Sequence, residues 1–167
     1  MITNHSDTIV LAGIGSTVLS DAKAGLQVVD MAKKRLSGHH GIVFRKLATG
    51  GMDLLYAIEG FERVVLVESR HIEGIKPGSV ITTYVGPSIR KKKDEVCTGP
   101  EFSQINTLLT FGDQCGYRMP ENVLCITVTA DSHHNFGEEV SESVKLVLNK
   151  VMKLIEQQIE CWLFCNA

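Results

Sequence analysis

Three stretches of the chain are apolar at successive positions instead of alternate ones: "DTIVLAGIG" (7–15), "ERVVLVES" (62–69) and "NVLCITVTA" (122–130). A strand of that kind must be covered on both faces, which narrows the architectures open to the chain. The intervening segments can supply the cover. "DAKAGLQVVDMAKKRL" gathers Ala24, Leu26, Val28, Val29, Ala32 and Leu36 on one helical face, and Ser20 or Asp21 stands where its N-cap belongs. "GIVFRKLAT" reads as another strand, and Gly50-Gly51 lead into a short helix, "MDLLYAIEG", closed by Gly60. "IKPGSVITTYVG" is a turn and an alternating strand; "EFSQINTLLTFGDQCG" is a helix opened by Pro100. In "SESVKLVLNKVMKLIEQQIECWLF" the residues Val144, Leu148, Val151, Met152, Ile155 and Ile159 recur at helical steps. Strand, helix, strand, helix, strand, strand, helix, strand, helix predicts an α/β three-layer sandwich. Its sheet is mostly parallel and twisted, of about five strands, with helices on both faces and one irregular strand pair. No repeat or linker divides the chain, so residues 1–167 are expected to form a single domain.

Composition excludes more than it assigns. A net charge of −2 gives no reason to expect nucleic acid or an anionic membrane as partner. No apolar run approaches the roughly 20 residues that span a bilayer, and "MITNHSDTIVLAG" lacks the basic and long apolar regions of a secretory signal. Cys97, Cys115, Cys125, Cys161 and Cys165 form no CxxC pair. They read mainly as small buried apolar groups, consistent with a reducing cytoplasm; Cys161 and Cys165, which can share a helix face, are the alternative as metal ligands. "RKKKD" (90–94), within the polar stretch "GPSIRKKKDEVCTGP", reads as a solvated loop or as a patch steering an acidic partner.

In sheets of this kind ligands bind at the carboxyl ends of the strands, which directs attention to the loops beginning at Gly13, Thr49, Glu68 and Ala130. The first of these, "GIGSTVLSDAKAG" (13–25), has the look of a nucleotide-binding turn. It fails the fingerprint: Val18 replaces the third glycine, and the second strand ends in "RKLATGG" without the ribose-binding acid. No G-x-x-x-x-G-K-[ST] loop, G-x-S-x-G elbow or H-E-x-x-H is present. A tight turn requiring glycine is the simpler account.

The same stretch, extended to "LAGIGSTVLSDAKAGLQVVDMA", resembles the first motif of the nickel–iron hydrogenase maturation endopeptidases: a strand, G-[IV]-G-N-x-L-x-x-D-[DE]-x-x-G, and an amphipathic helix. Gly13, Ile14, Gly15, Asp21 and Gly25 match it, with Leu19 on a shifted apolar pair. "ATGGMDLLYAIEGFERVVLVES", "IKPGSVITTYV" and "VLCITVTADSHHNFGEEVSESVKLVLNKVMKLI" resemble the later motifs in order, so the similarity runs over nearly the whole chain. It implies an endopeptidase that processes the C-terminal extension of a hydrogenase large subunit after nickel insertion. The implied cofactor situation is no tightly bound group, nickel being recognised on the substrate, with a weak divalent site as a further option. The partner implied is the large-subunit precursor or a hydrogenase-like protein.

The resemblance also implies a metal-recognising set of acid, acid and histidine at the strand ends. Here those positions fall on Ala22, Glu68 and Glu101, with Asp21 retained beside the first and as the candidate for the catalytic role. Lys46, or Ala48, stands where the family has a second-strand aspartate. Ser16 replaces the motif asparagine and, with Thr49 and Gly50, is implied to contact substrate. His134 or His133, with His71 also near, can supply the missing imidazole. Two expectations follow. Either Glu68 and Glu101, with Asp21, make an altered all-oxygen site in an active peptidase, metal polarisation then activating water or the carbonyl; or the chain is a non-cleaving chaperone or assembly factor. Each acid also has a plain role open to it as a solvated or capping carboxylate.

Overall fold

In the computed structural model of the chain, residues 5–86, 100–131, 137 and 139–164 are described, residues 5–7 and 100–103 by their backbone alone. The basic run 90–94, Cys97, His133, His134 and Cys165 lie outside them.

The described residues form strands β1 (His5–Ile14), β2 (Ile42–Leu47), β3 (Phe61–Arg70), β4 (Val80–Val85) and β5 (Asn122–Thr129). The helices are α1 (Ala24–Arg35), α2 (Met52–Ile58), α3 (Pro100–Gln114) and α4 (Glu142–Phe164). A one-turn 3-10 segment, Asp21–Lys23, precedes α1. The strands make one sheet in the order β2-β1-β3-β5-β4. β1, β2, β3 and β5 run parallel, and β4 pairs antiparallel with β5, from Val80 opposite Val128 to Val85 opposite Val123. The irregular strand pair expected from the sequence is therefore β4–β5.

The three all-apolar runs become β1, β3 and β5, the three inner strands, with residues of each assigned alternately to the two faces. On one face Ile9, Leu11, Val65, Val67, Ile126 and Val128 pack against α1 and α4. On the other, Val10, Ala12, Val64, Leu66, Val123 and Cys125 pack against α2 and α3. The α4 positions singled out by periodicity are all buried. Successive crossovers put α1 and α2 on opposite faces because the first carries the chain from β1 outward to β2 and the second carries it back past β1 to β3. The connections therefore diverge at the carboxyl ends of β1 and β3, where a crevice is expected.

Candidate functional site at the carboxyl edge of the sheet

The turn after β1 is built by close approach. A Cβ on Gly15 would lie 2.0 Å from the Ala22 carbonyl oxygen, and one on Gly13 would lie 2.2 Å from that of Gly25. Gly25 in turn sits against the carbonyl oxygens of Ile14 and Val67. The glycines thus let the start of α1 rest directly on the ends of β1 and β3. Backbone donors in the turn are turned inward. Gly15 N–H donates to the Leu47 carbonyl (3.0 Å) and Ser16 N–H to that of Ala22 (3.0 Å). The Ser16 hydroxyl accepts from the amides of Val18 (3.2 Å) and Leu19 (3.4 Å). A phosphate cradle needs such amides unspent. The turn holds the helix to the sheet, and Ser16 serves as its internal acceptor.

Asp21 is nearly fully buried, yet it does not cap α1. Its carboxylate accepts the Ser141 amide at 2.6 Å through Oδ1 and the Ser141 hydroxyl at 3.0 Å through Oδ2. Ser141 immediately precedes α4, so Asp21 neutralises the amino end of the last helix from a distant segment of chain. The Lys23 ammonium donates to the Gly137 carbonyl (2.6 Å), the Ser20 hydroxyl to that of Glu139, and the Gly137 amide to that of Val18. Together these bonds pin the β5–α4 connection to the first turn. The Ser69 hydroxyl donates to the Asp21 carbonyl (2.8 Å). Residues alternate along β3, so Ser69 faces the α1–α4 side whereas Glu68 and Arg70 face the α2–α3 side. Asp21 and Glu68 are not brought together.

Glu68 borders a pocket of about 640 Å³ between the sheet, α2 and α3. Ile14, Leu54, Leu66, Ile105, Leu108 and Phe111 supply its apolar wall, and Gly50 and Gly51 its rim at the start of α2. The polar part is a short chain of side chains. The Arg70 guanidinium meets both oxygens of Glu68, with Nε 3.0 Å from Oε1 and Nη2 3.3 Å from Oε2. Nη2 also donates to Oε1 of Gln104 on α3 (3.2 Å), and the Thr127 hydroxyl donates to Glu68 Oε1 (3.4 Å). Glu68 is thus held side-on by a charge-assisted fork. Beneath it the Cys125 thiol is pushed up to about 12, by burial first and by the Glu68 charge second, with Arg70 opposing. It stays a protonated apolar group at neutral pH.

The remaining candidates are dispersed. Thr49 is exposed and its hydroxyl donates to Asp53 (3.0 Å), securing the first turn of α2, while its neighbour Gly50 reaches the pocket. Glu101 belongs to α3, one helical turn before Gln104. His71 Nδ1 lies 3.2 Å from the Ala130 carbonyl, and His39 and His40 are exposed. Lys46 pairs with Asp30, whereas Ala22 contributes its carbonyl to the first turn. Cys115 and Cys161 are exposed, so among the described cysteines the expectation of burial is met by Cys125 alone. Among the described residues no three His, Cys, Asp or Glu side chains form a metal-binding group. The described polar groups that meet at the rim are a carboxylate gripped by a guanidinium and a neutral amide. Arg70 and Gln104 had not been expected in the pocket. The signal for Arg70 was simple strand alternation, since position 70 must share a face with position 68.

In its layers and topology the chain has the fold of the hydrogenase maturation endopeptidases. It is similar to the hydrogenase maturating endopeptidase HybD from E. coli, at 14% identity and TM-score 0.69 over 92% of each chain. The hydrogenase 2 maturation peptidase from Thaumarchaeota archaeon SCGC_AB-539-E09 is 22% identical, with TM-score 0.66 over 91% of this chain and 97% of that one. The [NiFe] hydrogenase maturation protease HybD from Thermococcus kodakarensis is 20% identical, with TM-score 0.60 over 91% and 99%. No protein-family model and no curated protein sequence matches the chain. At these identities the likeness is one of fold. No helix among the described residues is long and apolar enough to cross a membrane.

Proposed function

We propose that this chain is a hydrogenase maturation factor that engages the C-terminal region of a nickel–iron hydrogenase-type large subunit at the Glu68–Arg70 pocket without cutting it. The observation that carries the reading is the fork of Arg70 on Glu68. A carboxylate whose two oxygens are taken by an internal cation is poorly placed to test a substrate for bound nickel. Ala22 offers no ligand in exchange, and Asp21 is committed to the amino end of α4. The pocket retains what binding a chain segment requires: apolar walls, an open rim and fixed polar groups. A second reading, endopeptidase removal of the C-terminal extension after nickel insertion, draws support from Glu101. It belongs to α3, the helix that lines the pocket.

Both readings are tested by mixing the chain with nickel-loaded large-subunit precursor and following complex formation by size-exclusion chromatography and the precursor by intact mass. The expected result is a stable complex with the precursor mass unchanged. Loss of the C-terminal extension establishes the peptidase reading instead, and Glu68→Ala and Glu101→Ala, made separately, then show whether these carboxylates carry it. Absence of both complex and cleavage overturns both.

A further inference from the structure

The two edges of the sheet are finished differently. β2, at one end of the strand order, carries Arg45 and Lys46, both exposed, and charges of this kind keep an edge from pairing with a further strand. β4, at the other end, has none: from Pro77 to Ile89 the chain carries no Asp, Glu, Lys or Arg. Val80–Val85 are β-branched or aromatic throughout, which suits a paired strand. The Thr129 amide donates to the Ser79 carbonyl (2.9 Å), and Val80 lies opposite Val128. Alternation then turns the backbone groups of Ile81, Thr83 and Val85 toward β5 and those of Val80, Thr82 and Tyr84 outward. Among the described residues no segment bonds to that outward row. The side chains of Thr82 and Tyr84 are exposed, Tyr84 at 50%. They border a groove of about 200 Å³ with Leu154, Gln157 and Gln158 of α4, and the Tyr84 hydroxyl donates to Gln158.

We infer that β4 pairs antiparallel with β4 of a second copy of this chain, across a two-fold axis at Thr82, so that two five-stranded sheets become one. An axis normal to the sheet keeps every side chain on its own face. Thr82 then meets the second copy's Thr82, Val80 meets its Tyr84, and Ile81 meets its Thr83. In this register the three outward-facing residues pair only among themselves, so each outward N–H and C=O finds a partner. The side-chain pairs, threonine on threonine and tyrosine on valine, are of the kinds that stabilise antiparallel sheets. Lack of charge is what allows identical edges to meet, since a charged edge repels its own copy. This self-complementarity selects a second copy over a foreign strand. Because β2 is charged, each copy offers one such edge and association closes at two. The inference goes beyond the proposed function and does not depend on it, for none of the described residues lining the Glu68–Arg70 pocket belongs to β4.

A pair of strands this short makes an interface below the roughly 1,200 Å² of standard size, so dimer and monomer are expected to exchange in the micromolar range. The full chain, with its cysteines kept reduced, is followed by sedimentation velocity across that range. The expected result is a concentration-dependent rise from one chain mass, 18.3 kDa, toward twice that value. Thr82→Lys and Thr82→Glu, at an exposed position, each set like charges face to face and should weaken the dimer at least about tenfold. Mixed in equal amounts, the two variants oppose lysine to glutamate and should restore it. Thr82→Val, which keeps the shape and adds no charge, should dimerise at least as well as the wild type. A wild type that is monomeric at every concentration overturns the inference. A dimer that both charges leave intact, or a mixture no tighter than its two components, overturns it as well, because the contact is then not centred on Thr82. A wild type that is monomeric alone, with large-subunit precursor binding that Thr82→Lys abolishes, assigns the edge to a foreign strand and likewise removes the second copy.

Discussion

Two residues show how little freedom the site edge retains. Gly15 is dictated by a carbonyl oxygen that would sit 2.0 Å from an added Cβ, and a backbone atom cannot swing aside as a side-chain tip can. Gly15→Ala is therefore expected to lose about 3 kcal/mol or more, at the upper end of overpacking costs, read from urea unfolding. Gly38→Ala is the control: nothing lies within 4 Å of its added Cβ and its φ is not positive, so stability should hold or rise by up to about 1 kcal/mol. Cys125 gives a pH signature. Its folded thiol is raised from 9.0 to about 12, so between those values the unfolded chain is ionised there while the folded chain keeps its proton. The unfolded state then binds fewer protons, and stability falls as pH rises. Full stability from this group is present below pH 9 and is lost on the way to pH 12. Relative to Cys125→Ala, the wild type should lose about 1.4 kcal/mol more per pH unit across that window. Parallel slopes for the two proteins would refute the assignment.

At the scale of elements, most of the architecture could be read from periodicity, because inner strands and packed helices answer to a single requirement, covering apolar surface. α4 illustrates this. Met152 lies on its stripe and is fully buried, while Leu146, two residues from Val144 and Leu148, is 79% exposed. Met152→Ala should cost about 2–5 kcal/mol and Leu146→Ala less than about 0.5 kcal/mol, measured by thermal or urea unfolding. The functional edge was less legible, and the reason is also physical. Whether an acid faces a pocket or a helix end depends on which segments from elsewhere arrive beside it. Asp21 looked like the cap of the helix that follows it in sequence; its partner, Ser141, is 120 residues away. Glu68 was rightly placed at a strand end, but its neighbour Arg70 decides what it can bind, and only strand alternation hinted at that. Gln104 became visible once α3 was laid over the pocket, since no motif marks it.

For the molecule as a whole, the question is whether the fold carries in this chain the metal-reading chemistry that the resemblance implies. The fold places the ends of β1 and β3 at a diverging crevice, and this chain has built a pocket there. Inside it the Glu68 carboxylate is matched by Arg70, so a divalent cation entering would compete with a guanidinium that meets both oxygens. That exchange costs the fork and leaves Arg70 without a counter-charge, bonded to the Gln104 carbonyl oxygen in a partly buried corner, against a gain of one carboxylate ligand. Ligands bound to the folded state stabilise it in proportion to the logarithm of occupancy, so nickel affinity can be read from melting temperature. Exposed imidazoles such as His39 and His40 are also potential nickel(II) donors, which makes the informative quantity a difference. The nickel-induced shift in melting temperature is expected to be the same for the wild type and for Glu68→Gln, because the fork already withholds this carboxylate from the metal. Arg70→Met, which releases Glu68, should gain nickel-dependent stabilisation that Arg70→Met combined with Glu68→Gln lacks. A wild-type shift that collapses in Glu68→Gln would mean that the carboxylate ligates nickel despite its arginine, and the pocket would then belong to a metal-reading peptidase.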